Sequence, residues 1–282
     1  MLFLILAIVG GSMLAVMMRL SEGRVQSKTS MLAVNYITCM LLCGGYMKFD
    51  LALSAEKSGL TLGLGAVTGV FYVVSLLIMQ VNIRKNGVIL PSVFSRLGGL
   101  IVPLLIAVCF FSEEPTLLQL VGAVLAGLSI VAITSGGGRG AVTSIIPLLL
   151  LFLSDGMATS MSTVYEELGN PALNTQFLFY TFGTALLICL VLIIKNKESF
   201  GWKEALFGLG IGIPNFYASR CLLQALQSID AVIVYPTRGV ASLLLITLIG
   251  VLFFKEHLRK RQWAAMAAIL VSVVLLNITP KG

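Results

Sequence analysis

Long apolar runs alternate with short polar breaks along the whole chain. Each run reaches about 18 residues or more, which is long enough for a helix to cross a bilayer. The runs predict ten transmembrane helices and therefore an all-α integral membrane protein. They lie near residues 1–18, 29–47, 59–81, 88–111, 117–134, 143–165, 173–194, 203–228, 231–254 and 262–279.

Composition supports this assignment. Of the 282 residues, 58% are hydrophobic and 11% are charged, whereas charged residues make up about 25% of a soluble domain. The mean hydropathy is +1.01. The net charge of +7 is typical of basic loops that face the cytoplasm. We therefore expect a lipid bilayer around the protein and no nucleic-acid partner.

The residue types that build metal sites and enzyme active sites are scarce. The five cysteines fall in apolar segments without a CxxC spacing, and the only histidine is His257. We expect no metal, no cofactor and no structural disulfide. No intramembrane histidine or nucleophile–base pair indicates an enzyme. The glycines of GLGAVTG (63–69) and GLGIGIPN (208–215) predict close helix packing rather than nucleotide binding.

The two halves of the chain share a pattern of charges. A shift of 142 residues lays Arg96 on Arg238 and Glu114 on Glu256, and the linker-like GGGRG (136–140) lies between the halves. We expect two five-helix repeats, residues 1–135 and 141–282. Because five is odd, a duplicated unit enters the membrane in opposite orientations, which predicts two inverted repeats with a substrate site near the midplane.

The ends of corresponding helices resemble a known family. The fourth helix of each half ends in VCFFSEE or GVLFFKE, and the next helices open QLVGAVLAG and QWAAMAAIL. In these features the chain resembles the EamA-like branch of the drug/metabolite transporter superfamily. The resemblance implies a multi-pass protein of a bacterial plasma membrane, with a central cavity lined by helices 1, 3, 4, 6, 8 and 9 and worked by alternating access. The arginines are not part of the general family pattern, so they bear on substrate choice.

Four charges lie well inside the predicted helices: Asp155, Arg96, Arg220 and Arg238. A charge inside lipid costs several kcal/mol, so it normally faces protein or a wet cavity. An ion pair that only orients helices remains possible for Asp155 and one arginine, but one acid cannot satisfy three arginines. Polar neighbours suggest a wet face. The predicted substrate-binding residues are Arg96, Arg220, Arg238, Asp155, Thr159, Tyr217, Tyr72 and Asn35.

Three functions stay open at this point. The leading hypothesis is a secondary transporter of a small anionic or zwitterionic metabolite (an amino acid, organic acid or phosphorylated compound), because guanidinium groups bind carboxylate or phosphate in bidentate fashion. The alternatives are a proton-coupled carrier of organic cations that uses Asp155, and a membrane subunit that does not transport. Protons are a candidate coupling ion, and the protein is expected to be a monomer or homodimer. Loop charges favour both termini outside the cytoplasm, whereas the resemblance implies both inside it.

Overall fold

The computed structural model of the protein describes residues 1–51, 55–86, 89–134, 145–254, 263–264, 267–268, 271–272 and 274–275. Over these ranges the chain is helical, and each helix matches one predicted apolar run. The tenth predicted helix, 262–279, lies mostly outside the described residues, as do Glu256 and the linker 136–140. The helices are α1 (Leu2–Ser21), α2 (Lys28–Met47), α3 (Ser58–Asn86), α4 (Ile89–Phe111), α5 (Leu117–Thr134), α6 (Ile146–Leu168), α7 (Asn174–Asn196), α8 (Trp202–Leu226) and α9 (Ala231–Phe254), with a 3-10 helix at Pro171–Leu173.

Six stretches of the described chain are long and apolar enough to cross a membrane. Two further stretches, in α5 and α9, are shorter but also apolar, and α8 carries the charged residues Lys203, Glu204 and Arg220. Together with the absence of any strand over the described ranges, this makes the chain an all-α membrane protein. The six stretches are Leu2–Ser21, Lys28–Met47, Ser58–Met79, Phe94–Phe111, Ile146–Leu168 and Pro171–Asn196.

The chain forms two compact units, and each takes helices from both halves of the sequence. The first unit contains Met1–Val73 and Val164–Gln227, and the second contains Val74–Thr163 and Ser228–Gly282. In the first unit α8 packs against α1 and α2, and α2 also packs against α7. In the second unit α4, α5 and α9 pack together around a small core. That core consists of Leu100, Ala126, Val240 and Leu243.

Helix surfaces in the first unit are apolar where they are exposed. Along α1 the side chains of Leu2, Ile5 and Val9 are exposed, whereas Ala7 and Ser12 are buried. A soluble protein rarely exposes so much contiguous apolar surface, but a helix that faces lipid does. Polar side chains are instead found on the buried faces, as expected when the surrounding solvent is hydrocarbon.

Glycines let the helices of the first unit approach closely, as the sequence predicted. A Cβ atom on Gly208 would lie 2.6 Å from the Met31 carbonyl oxygen, and one on Gly212 would lie 2.9 Å from the Asn35 carbonyl oxygen. Both glycines face α2 from α8. In α3, a Cβ atom on Gly65 would lie 2.9 Å from the carbonyl oxygen of Phe177 in α7. Larger residues at these positions would separate the helices.

A carboxylate and a hydroxyl group bind the start of α2 in the first unit. The backbone N–H of Gln26 donates to Glu204 Oε1 over 2.6 Å, and the N–H of Ser27 donates to the same oxygen over 3.4 Å. The Ser27 hydroxyl also accepts a bond from the Ser30 N–H at 2.9 Å. The Ser30 N–H lies in the first turn of α2, where N–H groups lack partners within the helix, so the Ser27 hydroxyl caps α2 while Glu204 binds the two residues before it.

Candidate functional site

Asp155 lies midway along α6 in the second unit, and hydroxyl groups from two other helices hold its carboxylate. Ser75 Oγ of α3 donates to Asp155 Oδ1 over 2.7 Å, and Ser95 Oγ of α4 donates to Oδ2 over 2.8 Å. Ser75 is only 7% exposed, whereas Asp155 and Ser95 are half-buried. Both carboxylate oxygens therefore have a neutral hydrogen-bond donor, and the side chain still reaches accessible space.

Arg96 of α4 and Arg238 of α9 lie near this carboxylate in the same unit. Both act on Asp155 electrostatically, and both are half-buried. Within the described part of the chain, neither guanidinium forms an ion pair with Asp155 at 4.0 Å or less, and neither donates a hydrogen bond to a protein acceptor. Among the described residues, the ion pair considered from the sequence is therefore not formed.

Glycines bring α4 and α6 close enough for this arrangement. A Cβ atom on Gly98 would overlap the Phe152 carbonyl group, and one on Gly156 would overlap the Val102 side chain. Gly99 faces the cluster itself, because its Cβ position lies 3.4 Å from Thr159 Oγ1 and 3.8 Å from Asp155 Oδ2. The glycines thus let Ser95 reach the Asp155 carboxylate.

Thr159 lies one turn after Asp155 and belongs to the same cluster. Its hydroxyl donates to the Asp155 carbonyl oxygen over 2.9 Å. Its own carbonyl oxygen accepts a hydrogen bond from Tyr235 Oη of α9 over 3.2 Å, and Tyr235 Oη also shares a 2.8 Å bond with Thr163 Oγ1. Tyr235 is 2% exposed. This contact fixes α9 against α6 one turn before Arg238.

The start of α9 has a further attachment in the same unit. The carboxylate of Glu113, just after α4, accepts hydrogen bonds from the backbone N–H groups of Ala231 and Val232, each 2.9 Å long. An acidic group at a helix N-terminus satisfies unpaired N–H groups and interacts favourably with the helix dipole. Glu113 therefore fixes the end of α4 to the start of α9, and both helices carry a site arginine.

Arg220 and Tyr217 lie in the first unit, on α8. The guanidinium carbon of Arg220 lies 3.9 Å from the centre of the Tyr46 ring, a cation–π contact with the last residues of α2. Its Nη1 atom is buried and has no hydrogen-bond partner among the described residues. Tyr217 is 41% exposed and meets the Tyr46 ring edge-on at 6.5 Å. An acceptor from a ligand would satisfy the unpaired Nη1 atom.

The two other predicted site residues, Asn35 and Tyr72, also lie in the first unit. Asn35 is 1% exposed, and its side-chain oxygen accepts a 3.0 Å hydrogen bond from Asn215 Nδ2. This bond fixes α2 to α8, so a packing role for Asn35 is visible. Tyr72 is half-buried in α3.

Sequence reasoning missed Ser75 and Ser95 as partners of Asp155, and Glu113 as the cap of α9. The available signal was weak. Hydroxyl residues are frequent in these apolar helices and mostly bond to their own backbone, as Ser129 does to the Leu125 carbonyl oxygen at 2.7 Å. Only the three-dimensional contacts distinguish a serine that holds the acid from one that does not.

The cluster in the second unit combines two kinds of groups. Arg96 and Arg238 offer only hydrogen-bond donors and positive charge, while Asp155 and its two serines offer acceptor oxygens. Such a site suits a ligand that carries an anionic group, or one that carries an anionic and a cationic group. Over the described ranges, no group of three or more histidine, cysteine, aspartate or glutamate residues could hold a metal ion.

Comparison with known proteins gives a family match and several relatives. Residues 141–278 match the model of the EamA-like transporter family. A protein of Haemophilus influenzae described as uncharacterised is 22% identical, over 99% of this chain and 98% of that protein. A crystal structure of a protein superposes with a TM-score of 0.80 at 16% identity, over 98% of this chain and 95% of the other, and has the same fold.

Two shorter relatives match about a third of the chain. Both are probable 4-amino-4-deoxy-L-arabinose-phosphoundecaprenol flippase subunits ArnE. The protein of Pseudomonas savastanoi pv. phaseolicola is 35% identical, over 33% of this chain and 89% of its own length. The protein of Pseudomonas syringae pv. syringae is 36% identical, over 33% of this chain and 92% of its own length.

Proposed function

This chain belongs to the EamA-like transporter family, and on that premise we propose that it carries a small anionic or zwitterionic metabolite by alternating access. It is a multi-pass bacterial membrane protein and a transporter; the class of substrate is the proposal. The candidates are amino acids, organic acids and phosphorylated compounds. We propose transport without a chemical step on the substrate.

One observation carries this proposal: Arg96 and Arg238 lie beside a carboxylate that already has two donors, and neither has a protein acceptor among the described residues. A guanidinium inside a membrane protein needs polar partners. A carboxylate or phosphate supplies two oxygens in the plane of the guanidinium fork and forms two charge-assisted hydrogen bonds. An anionic substrate would therefore provide the partners that the protein does not.

The proposed architecture is ten helices in two inverted five-helix repeats, residues 1–135 and 141–282. Support comes from the five apolar runs that the sequence predicts in each half and from the matched positions of Arg96 and Arg238. In a transporter with inverted repeats, corresponding residues serve the two faces of the pathway. Arg96 and Arg238 would then bind the anionic group in alternate states.

Four of the substrate-binding residues predicted from the sequence lie in the first unit. Arg220 supports this role with its unpaired Nη1 atom, and Tyr217 supports it with its exposed ring. Tyr72 and Asn35 stay in the set as sequence predictions. Thr159 belongs to the Asp155 cluster of the second unit. Protons are the proposed coupling ion, with Asp155 as the group that binds them.

A ligand-stabilisation screen tests the substrate class. Purified protein in detergent is heated with amino acids, organic acids, phosphorylated metabolites and cationic drugs, and compounds that raise the unfolding temperature are then assayed for uptake into proteoliposomes. We expect hits among anionic or zwitterionic compounds. Hits confined to organic cations, with uptake that depends on Asp155 and not on the arginines, would reject the proposal in favour of a cation carrier.

A second candidate substrate is a lipid-linked amino sugar. It is favoured by the similarity to the ArnE flippase subunits, whose name describes a compound with an amino group and a phosphate. In the second unit, Asp155 would suit the amino group of such a compound, and the arginines would suit its phosphate. A flipping assay with a fluorescent prenyl-phosphate amino sugar in proteoliposomes distinguishes this candidate from a small soluble substrate.

A further inference from the structure

We infer that Asp155, Ser75 and Ser95 form a binding site for a primary ammonium group, so that the substrate is a zwitterion rather than a simple anion. Its ammonium group would bind these three residues, and its carboxylate or phosphate would bind Arg96 in one state of the transport cycle and Arg238 in the other. The inference rests on the proposed function and narrows its substrate class.

The directions of the hydrogen bonds carry the first step. A serine hydroxyl has one proton and two acceptor lone pairs. Ser75 donates its proton to Asp155 Oδ1, and Ser95 donates its proton to Oδ2. Each of the two hydroxyl oxygens can therefore still accept a hydrogen bond, and so can the carboxylate oxygens. Side chains from α3, α4 and α6 thus contribute acceptor oxygens to one hydrogen-bonded cluster.

Charge carries the second step. The two serines are neutral, so they satisfy the geometry of the carboxylate without balancing its charge. No cation lies within ion-pair distance of Asp155 in the described part of the chain. An ammonium group is a compact cation with three N–H donors and no acceptor. It matches the charge of the Asp155 carboxylate and the acceptor oxygens around it, while the anionic group of the same substrate offsets the nearby charges of Arg96 and Arg238.

The same geometry predicts selectivity between amines. A trimethylammonium group has the charge of an ammonium but no N–H, so it cannot donate to the serine and aspartate oxygens. Quaternary ammonium groups are instead bound by the faces of aromatic rings, and the partners of Asp155 are hydroxyls. The site should therefore prefer a primary amine over its trimethylated analogue.

Matched compounds test this preference on the purified full-length protein. Each set contains a primary amine, its trimethyl analogue and the compound without the amine. The sets are glycine, glycine betaine and acetate; 4-aminobutyrate, its trimethyl analogue and butyrate; and 2-aminoethyl phosphate, phosphocholine and ethyl phosphate. Equilibrium binding is measured for all. In at least one set we expect the primary amine to bind at least about tenfold more tightly than both analogues, the size of a lost charged hydrogen bond.

Substitutions test whether Ser75 and Ser95 cause the preference for a primary amine. Ser75→Ala and Ser95→Ala should each reduce the preference for the primary amine at least about threefold, and Ser95→Thr, which keeps the hydroxyl, should retain most of it. Ser129→Ala and Ser160→Ala are matched controls, because these hydroxyls bond to backbone carbonyls of their own helices. If Ser75→Ala does not fold, the comparison of Ser95→Ala with Ser95→Thr still shows whether the serine hydroxyl contributes to the preference for the primary amine.

The outcomes separate this inference from the proposed function. Equal binding of amine and trimethyl compounds, or a preference that both serine-to-alanine variants retain, overturns the ammonium site. If the compounds without an amine bind as tightly as the zwitterions, the ammonium site is wrong while anion transport stands. If no compound binds and an anion with a different skeleton is transported, the ammonium site is again wrong while anion transport stands. If only cations bind, both proposals fail.

Discussion

The hydroxyl of Ser95 donates to Asp155 Oδ2 over 2.8 Å, so the residue directly before Arg96 in α4 holds the acid of α6. Ser75 completes the arrangement from α3. The acid is thus positioned by neutral groups, and among the described residues no guanidinium lies within 4.0 Å of it. A charged cluster that only oriented helices would pair its opposite charges directly.

Replacing Asp155 with asparagine should separate binding from coupling. The amide keeps the shape of the carboxylate but carries no charge and takes up no proton. We expect Asp155→Asn to weaken substrate binding, to retain counterflow exchange at saturating substrate, and to lose accumulation driven by a pH gradient in proteoliposomes. Asp50→Asn, at an exposed aspartate after α2, is the control. Unchanged pH-driven accumulation in Asp155→Asn would remove Asp155 from the coupling role.

Glu113 should stabilise the second unit more than its neighbour Glu114. Glu113 accepts two hydrogen bonds from the start of α9, whereas Glu114 is exposed. Loss of a helix cap costs about 0.5–2 kcal/mol. We therefore expect Glu113→Ala to lower the unfolding temperature and the amount of protein in the membrane, and Glu114→Ala to leave both near the parent values. Equal effects of the two substitutions would contradict the assigned cap.

Gly98 and Gly99 should respond in opposite ways to alanine. In a helix, alanine is favoured over glycine by about 1 kcal/mol, but a Cβ atom at Gly98 overlaps the Phe152 carbonyl group, while one at Gly99 makes ordinary contacts. Overpacking typically costs about 1–3 kcal/mol. We expect a lower unfolding temperature for Gly98→Ala and an equal or higher one for Gly99→Ala. A Gly98→Ala variant as stable as Gly99→Ala would contradict the close approach of α4 and α6.

Arg220 should act through its unpaired Nη1 atom, and the Tyr46 ring should hold it in place. Arg220→Gln is expected to weaken binding of an anionic substrate. Tyr46→Leu should weaken it too, because the cation–π contact is worth about 0.5–2 kcal/mol, whereas Tyr46→Phe keeps the ring and should bind like the parent. Binding is measured by titration calorimetry. If Arg220→Gln binds like the parent but is less stable, the arginine is structural.

The sequence was sufficient to locate the helices and the unusual charges. A membrane span requires a long apolar stretch, so α1–α9 appear directly in the pattern. Charges inside such stretches are rare, which identified Asp155, Arg96 and Arg238. The close glycine contacts of Gly208 and Gly212 were also predicted correctly.

The partners of these residues could not be predicted, because they depend on contacts between distant helices. Ser75 and Ser160 look alike in sequence, yet one donates to Asp155 and the other to the carbonyl oxygen of Gly156 in its own helix. The alignment of the two halves placed Glu114 opposite Glu256, but it is the neighbouring residue Glu113 that caps α9. Both residues follow the last residue of α4, where the backbone is no longer helical, so apolar periodicity does not fix the direction of their side chains.

The most direct test of the proposed transport site is the affinity of Arg96→Gln and Arg238→Gln for the substrate found in the screen. Each substitution should weaken binding by about 1.5–3 kcal/mol, the contribution of a hydrogen bond to a charged group. Lysine at either position should recover binding only in part, because an ammonium lacks the planar fork. Arg24→Gln, at an exposed arginine between α1 and α2, should bind like the parent. If both Arg96→Gln and Arg238→Gln bind the substrate as tightly as the parent protein, the account is contradicted.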